Sequence, residues 1–334
     1  MSYSVNNAFI TLMKEFVNLT ADSSQEGKKS RKWLVEEQIT KFPINDDKFP
    51  LMQTNYKMWF GSFSRRTKIR ELDDIDMMII MHAQGSSYYD YGSTVYLSPG
   101  ENSRFLNYLD ESGQWINSRK IVNKFVSSLK EVPQYSKADS KRQGEAATLK
   151  LLSRTWNFDI VPAFSTVAES DGTNFYLIPD GYGNWKKTDP RIDKDRTTRL
   201  NQKHNGKVLN AIRLVKYWKR KRGVPAIGSY LLETILLNRY ENLFQGEMSD
   251  WVDREFPLAL RSLANAILLP VYDQKSFQGD INNLSSDERW KVWEKASTDA
   301  TLAEEAIALE FSDPLKSGKY WQQVLGNDFP IEEA

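Results

Sequence analysis

Asp74 and Asp76 stand two positions apart at the head of the apolar run DIDMMIIM, residues 74–81. If that run is a strand, period-two alternation puts both carboxylates on one face, about 7 Å apart between Cα atoms. Ile75 and Met77 then turn into a core. Neighbouring carboxylates repel, and burying them unpaired is costly. Divalent cations relieve that conflict, and two of them about 3.5–4 Å apart form the clamp used for phosphoryl and nucleotidyl displacement. An isolated Asp-x-Asp is more often just the start of a strand from a solvated loop. Gly61-Ser62, with Ser62 twelve positions before Asp74, shifts the balance. A Gly-Ser turn opening a helix offers backbone N–H groups and a hydroxyl to a phosphate. Arg65, Arg66 and Lys68 add positive charge beside it. A third carboxylate, Asp159, lies inside the apolar run FDIVPAF, residues 158–164. It either caps local structure or completes a metal site, where it would help activate an attacking hydroxyl and accept its proton.

Composition narrows the chemistry further. The 334 residues contain no cysteine and two histidines, His82 and His204. Disulfides, thiolate zinc sites and cysteine nucleophiles are excluded, and the two histidines read as structural or exposed. Metal chemistry must therefore use oxygen ligands, which favours Mg²⁺ or Mn²⁺. A net charge of +1 gives no strongly basic face for duplex nucleic acid, whereas a local Lys/Arg cluster suffices for a small anionic substrate. Apolar residues at 40% and charged residues at 27% describe a soluble globular chain. No window reaches the roughly 18 apolar residues of a membrane helix. The N-terminal stretch has no secretory pattern, so a cytoplasmic location is expected.

The elements that must position these groups follow from periodicity. Helical spacing covers Val5–Val17 and Ser30–Lys41, with the polar TADSSQEGKKS between them read as a loop. Strands are expected near Tyr56–Gly61, at Asp74–Met81, Thr148–Leu152, Trp156–Val161 (stopped by Pro162) and Phe175–Ile178, with a helix at Ser118–Leu129. After Pro190 helices dominate: Val208–Arg222, Tyr230–Tyr240, Pro257–Leu269, Ser286–Ser297 and Thr301–Phe311. The expected organisation is a mixed α/β part, residues 1–190, followed by an all-helical part, residues 191–334.

The ordered set GS…TKI…LDDIDMMI, FDIVPAF, IPDGYGNWKKTDP (178–190) and LNAIRLVKYWKRKRG…GSYLLETILL resembles the DNA polymerase beta-like nucleotidyltransferases. More narrowly it is similar to the bacterial CD-NTases, DncV-like relatives of cyclic GMP-AMP synthase and oligoadenylate synthase. The resemblance spans most of the chain. It implies an α+β fold with a mixed-sheet nucleotidyltransferase lobe, an N-terminal spine helix, and a helical lobe that closes the active-site cleft. It also implies that Gly61 and Ser62 hold the donor triphosphate, that Asp74 and Asp76 bind two metal ions, and that Asp159 completes the catalytic one. Lys216 and Ser229 match phosphate contacts, and Tyr230 matches a position that stacks on a base. From the residues alone, Lys216 could instead belong to a solvated basic face with Lys219–Arg222, and Tyr230 could be core.

Family members join ribonucleoside triphosphates into cyclic di- or trinucleotides that switch on a downstream effector in antiphage (CBASS) signalling. The resemblance therefore implies ATP as a substrate and an adenine-containing product. It also implies a companion regulatory protein, or one that conjugates the C-terminal Ala334. Base choice would fall to cleft residues such as those around Tyr176–Trp185. The animal DNA sensor of this group carries a His/Cys zinc insertion, which a chain without cysteine cannot build, so duplex-DNA activation by that route is not expected. Alternatives are linear oligonucleotide synthesis, transfer to another acceptor, or a non-catalytic nucleotide sensor. Three carboxylates argue against the last, since a sensor has no use for a second metal.

Overall fold

The computed structural model describes residues 4–225 and 227–331; Ala334 lies outside the described residues. In chain order the elements are α1 (Val5–Leu12), α2 (Ala21–Trp33), α3 (Phe42–Asn45), β1 (Met52–Trp59), α4 (Gly61–Ser64), β2 (Asp74–Met81), β3 (Ser87–Asp90), β4 (Val95–Ser98) and α5 (Ser118–Lys130). Then come β5 (Asp139–Gln143), β6 (Ala146–Lys150), β7 (Asn157–Ser165), β8 (Tyr176–Pro179) and β9 (Trp185–Thr188). The helices α6 (Pro190–Lys203), α7 (Val208–Lys221), α8 (Ser229–Asn242), α9 (Val252–Ile267), α10 (Ser286–Leu309) and α11 (Pro314–Leu325) complete the chain. It divides into two units. Of the described residues, one holds Ala21–Ser64 and Glu71–Arg191; the other holds those up to Thr20, Arg65–Arg70 and those from Ile192 onward. The sequence-based boundary at 190 falls beside this division, but α1 and residues 65–70 group with the helices.

The sheet unit is a mixed sheet in the order β1-β2-β7-β8-β9-β4-β3, with β6 on β7 and β5 on β6. Among the described residues β2 and β7 run parallel and the other ladders are antiparallel. Both faces of the central pair are buried, so β2 reads as a continuous apolar run rather than an alternating one. Strand β7 runs through Pro162, where the sequence predicts a stop. Its last pair with β6 is Ile160 and its first with β8 is Phe164. Pro162 falls in that gap, where the outer edge of β7 needs no N–H donor.

The predicted loop TADSSQEGKKS is instead the body of α2. The side chains that bury this helix are not apolar ones: Gly27 and Arg31 are its buried residues. A Cβ on Gly27 would lie 2.9 Å from Leu72 Cδ2 and 3.2 Å from Phe63 Cζ, so the missing side chain is what lets the helix approach. Arg31 lies 4.1 Å over the Trp59 ring, a cation–π contact made by a residue that periodicity scores as polar.

The helical unit has one core, formed by α7, α8, α9, α10 and α11 with α1. Phe9 of α1 meets Trp321 edge-on at 4.7 Å and Phe329 at 5.0 Å. The two helices expected at Ser286–Ser297 and Thr301–Phe311 are one, α10. The weak helix formers Ser297, Thr298 and Asp299 read as a break, but Asp299 is fully buried and its carboxylate is satisfied. It accepts from Trp218 Nε1 at 2.7 Å and from Arg222 at 2.9 and 3.0 Å. Replacing Asp299 by Ala strands a buried indole N–H and a guanidinium. Urea unfolding of the variant is expected to show a loss of about 3–5 kcal/mol, and a loss below about 1 kcal/mol would remove this pair from the account of how α10 stays whole.

Candidate active site

The carboxylates lie at the leading ends of two neighbouring strands. Register places Asp76 directly opposite Asp159 and Asp74 opposite Asn157. Paired residues share a face, and residues two apart along a strand share it too. Asp74, Asp76 and Asp159 therefore project from one side of the sheet. All three are half-buried, whereas Ile75, Met77, Phe158 and Ile160 between them are fully buried on the other side. Further along the same face Met78, Ile80, Val161 and Ala163 form an apolar cluster with Ala146, Tyr176 and Ile178. The acids thus sit at the wet end of a dry floor.

Two contacts fix this row. Thr148 pairs with Asp159 across β6 and β7, and its Oγ1 donates to Asp159 Oδ1 at 2.6 Å. On the other side Gly61 opens α4 with φ at +72°, and a Cβ built on it would fall 1.7 Å from Asp76 Oδ2. Only glycine permits both the left-handed backbone and that approach. Ser62 follows directly and is buried. Gly61, Ser62, Asp74, Asp76 and Asp159 are all in the sheet unit. An all-oxygen donor set on one half-buried strand face suits Mg²⁺ or Mn²⁺. Among the described residues, however, no group of three or more His, Asp or Glu side chains is placed so that it could hold a metal ion.

Lys216, Ser229 and Tyr230 belong to the helical unit. Lys216 is not on a solvated basic face: it is 6% exposed on α7. Its ammonium donates to Thr67 O at 3.2 Å and pairs with Glu233, which also accepts from Arg65 Nε at 2.9 Å. Burial pushes the Lys216 ammonium below its ordinary value, opposed by Glu233, with Arg65 and Lys68 adding repulsion. Burial alone would raise the Glu233 carboxyl, but Arg65 and Lys216 outweigh it and hold it at about 2. Ser229 is exposed at the first position of α8, after Gly228. Tyr230 is half-buried; its hydroxyl donates to Asp273 Oδ1 at 2.6 Å, and Lys275 Nζ lies 3.9 Å from its ring centroid. Lys275 in turn pairs with Asp193 at 3.3 Å.

The residues offered for base choice separate by exposure. Trp185 is fully buried and its indole donates to Ile116 O at 2.9 Å, a packing role. Tyr182 is 87% exposed on a loop that Asp180 Oδ1 ties by accepting from three successive N–H groups. His204 is buried with Nε2 2.7 Å from Tyr240 O, while His82 is exposed. Thr148, Arg65 as a partner of Glu233, Asp273 and Lys275 are not legible as site residues in the sequence. Each gains its meaning from a partner distant in the chain, and no spacing rule reports such pairs.

Scanned against descriptions of known protein families, the chain matches none. A probable cyclic nucleotide synthase of Bacillus cereus (strain VD146) is 38% identical over 336 residues, spanning 100% of both chains. The chain is a cyclic nucleotide synthase of the CD-NTase family. It is accordingly a nucleotidyltransferase that makes a cyclic oligonucleotide. More distant relatives are a cyclic AMP-AMP-AMP synthase of an Acinetobacter species and a cyclic AMP-AMP-GMP synthase of Enterobacter hormaechei. The first is 26% identical over 182 residues, covering 52% of this chain and 51% of the relative. The second is 25% identical over 169 residues, covering 46% and 42%. Solved structures of Escherichia coli MS115-1 CdnC share the fold at 16% identity. The one with ATP gives a TM-score of 0.70 over 98% of this chain and 99% of that one. The one in complex with HORMA-deltaN gives 0.68 over 98% of each. The α+β fold expected, a mixed sheet with helices, is thus the fold shared with these structures.

Two outcomes follow from the site's geometry. Gly61→Ala must push the Asp76 carboxylate aside, and steady-state synthesis is expected to fall about 100-fold; near-normal turnover would show that Asp76 tolerates displacement. Glu233 has a depressed folded pKa, so its contribution to stability is complete above its ordinary 4.5 and is lost as pH falls toward about 2. Urea unfolding of wild type across that acid window should therefore steepen relative to Glu233→Gln, and parallel curves would deny Glu233 this role.

Proposed function

We propose that the synthase joins ribonucleoside triphosphates, ATP among them, using Asp74, Asp76 and Asp159 to hold two Mg²⁺ (or Mn²⁺) ions. The observation that carries this reading is the register that puts Asp76 beside Asp159, with Asp74 on the same face. Divalent cations bound there would lower the pKa of the attacking hydroxyl and offset charge on the leaving pyrophosphate. The chain supplies the rest. Gly61 and Ser62 receive the donor triphosphate through backbone N–H groups and a hydroxyl. Asp159 accepts the proton of the attacking ribose hydroxyl. In the helical unit Lys216 and Ser229 serve the donor phosphates, and Tyr230 offers a ring face to a base.

Adenine in the product is supported by the names of the Acinetobacter and Enterobacter relatives and by the CdnC structure with ATP. The CdnC:HORMA-deltaN complex supports a companion regulatory protein. We place the product in antiphage signalling, where it would switch on a separate effector, and the enzyme in the cytoplasm with its triphosphate pool. Among the described residues no helix is long and apolar enough to cross a membrane. The test is to incubate the protein with the four ribonucleoside triphosphates and Mg²⁺ or Mn²⁺, remove open-chain ends with phosphatase, and read the products by mass spectrometry. A resistant, adenine-containing cyclic product is expected from wild type. Asp76→Asn should reduce it by at least about 1000-fold while the melting temperature stays within a few degrees. Near wild-type synthesis by Asp76→Asn, or undiminished synthesis in chelator, would overturn the metal assignment.

A further inference from the structure

Across β2, β7 and β6, one row of paired residues reads Asp76, Asp159, Thr148. Asp159 therefore lies between a like charge and a hydroxyl. Thr148 is 5% exposed, and its neighbours Ala147 and Leu149 are fully buried. A position this buried in a strand would pack as well with valine, which has the same branched shape and no polar atom to satisfy. The hydroxyl is instead spent on Asp159 Oδ1 at 2.6 Å, the short range of a bond to an ionised acceptor. A carboxylate held at one oxygen loses its rotation about the terminal side-chain bond, which is otherwise broad.

We propose that Thr148 is a positioning residue of the synthase: its hydroxyl fixes the Asp159 carboxylate so that this acid presents one orientation to the divalent cation. The inference rests on the proposed metal-binding role of Asp159. Carboxylates that ligate metals are commonly oriented by hydrogen bonds of this kind. Here the orienting group comes from β6, which supplies no acid to the row.

The test compares Thr148→Val and Thr148→Ser. Mn²⁺ affinity of the nucleotide-free protein is read by electron paramagnetic resonance. The Mn²⁺ concentration for half-maximal synthesis is measured beside it, with thermal unfolding as the control for folding. Thr148→Val is expected to weaken both metal parameters by about 10- to 100-fold, while Thr148→Ser, which keeps the hydroxyl, stays near wild type. Introduced into Asp159→Asn, Thr148→Val should cost no further metal affinity, since the group it orients has gone. Thr148→Ala replaces Thr148→Val if the latter fails to fold. Wild-type metal dependence in Thr148→Val, or the same loss in the Asp159→Asn background, would overturn the proposal. If Asp159→Asn loses metal affinity and synthesis while Thr148→Val loses neither, only the positioning role falls. If Asp159→Asn loses neither, the metal reading of Asp159 falls, and this inference with it.

Discussion

The parallel pairing of β2 with β7 is the constraint on which the rest of the sheet unit depends. It sets Asp76 directly opposite Asp159, and like charges facing each other on neighbouring strands destabilise the pair. Several features of the fold accommodate that. The acids are left half-exposed, so water still screens them. Thr148 donates to one of them. Apart from Asn157 and Ser165 at the ends of β7, the remainder of both strands is apolar on both faces, and each fully buried side chain of that kind stabilises by roughly 1.5–3 kcal/mol. A sheet with such a core can carry a row of facing acids at its margin.

The same arithmetic explains what could be read in the sequence. Asp74 and Asp76 are legible as a pair heading an apolar run twelve positions after a Gly-Ser turn, and Asp159 because it interrupts an apolar run, where a carboxylate needs a reason. Gly61 was legible as a turn, but its closeness to Asp76 was not, since it depends on how α4 settles against β2. Thr148 carried no signal: its role comes from the β6–β7 register, and a hydroxyl in a strand is ordinary. The polar stretch that became α2 was misread because a glycine and an arginine make its buried contacts, and periodicity counts neither. Pro162 was misread as a stop because a proline ends a central strand unless the ladder opens beside it, and the opening here lies between two partners far apart in sequence.

The segment Arg65–Arg70 shows the same limit at larger scale. It follows directly on α4 yet groups with the helices. There Arg65 donates to Glu233, 168 positions away, and Thr67 O accepts from Lys216. A basic run after a Gly-Ser turn suggests charge for a phosphate. The structure shows that Arg65 is already bound to a buried carboxylate, so part of that charge is used to hold the helical unit together.

Buried ion pairs seldom stabilise more than a well-packed apolar set of the same size, so their presence at family-matched positions calls for another account. Lys216 with Glu233 is one such set; Tyr230 with Asp273 and Lys275 is another. In the second, the hydroxyl is held by Asp273 while Lys275 lies against the ring. A ring gripped at its tip and across one face, and packed against the helical core, has little rotational freedom. The same logic applies to Lys216. An ammonium tethered between Glu233 and Thr67 O is already desolvated and held in one orientation. The polar burial leaves these side chains fixed in place when the chain folds.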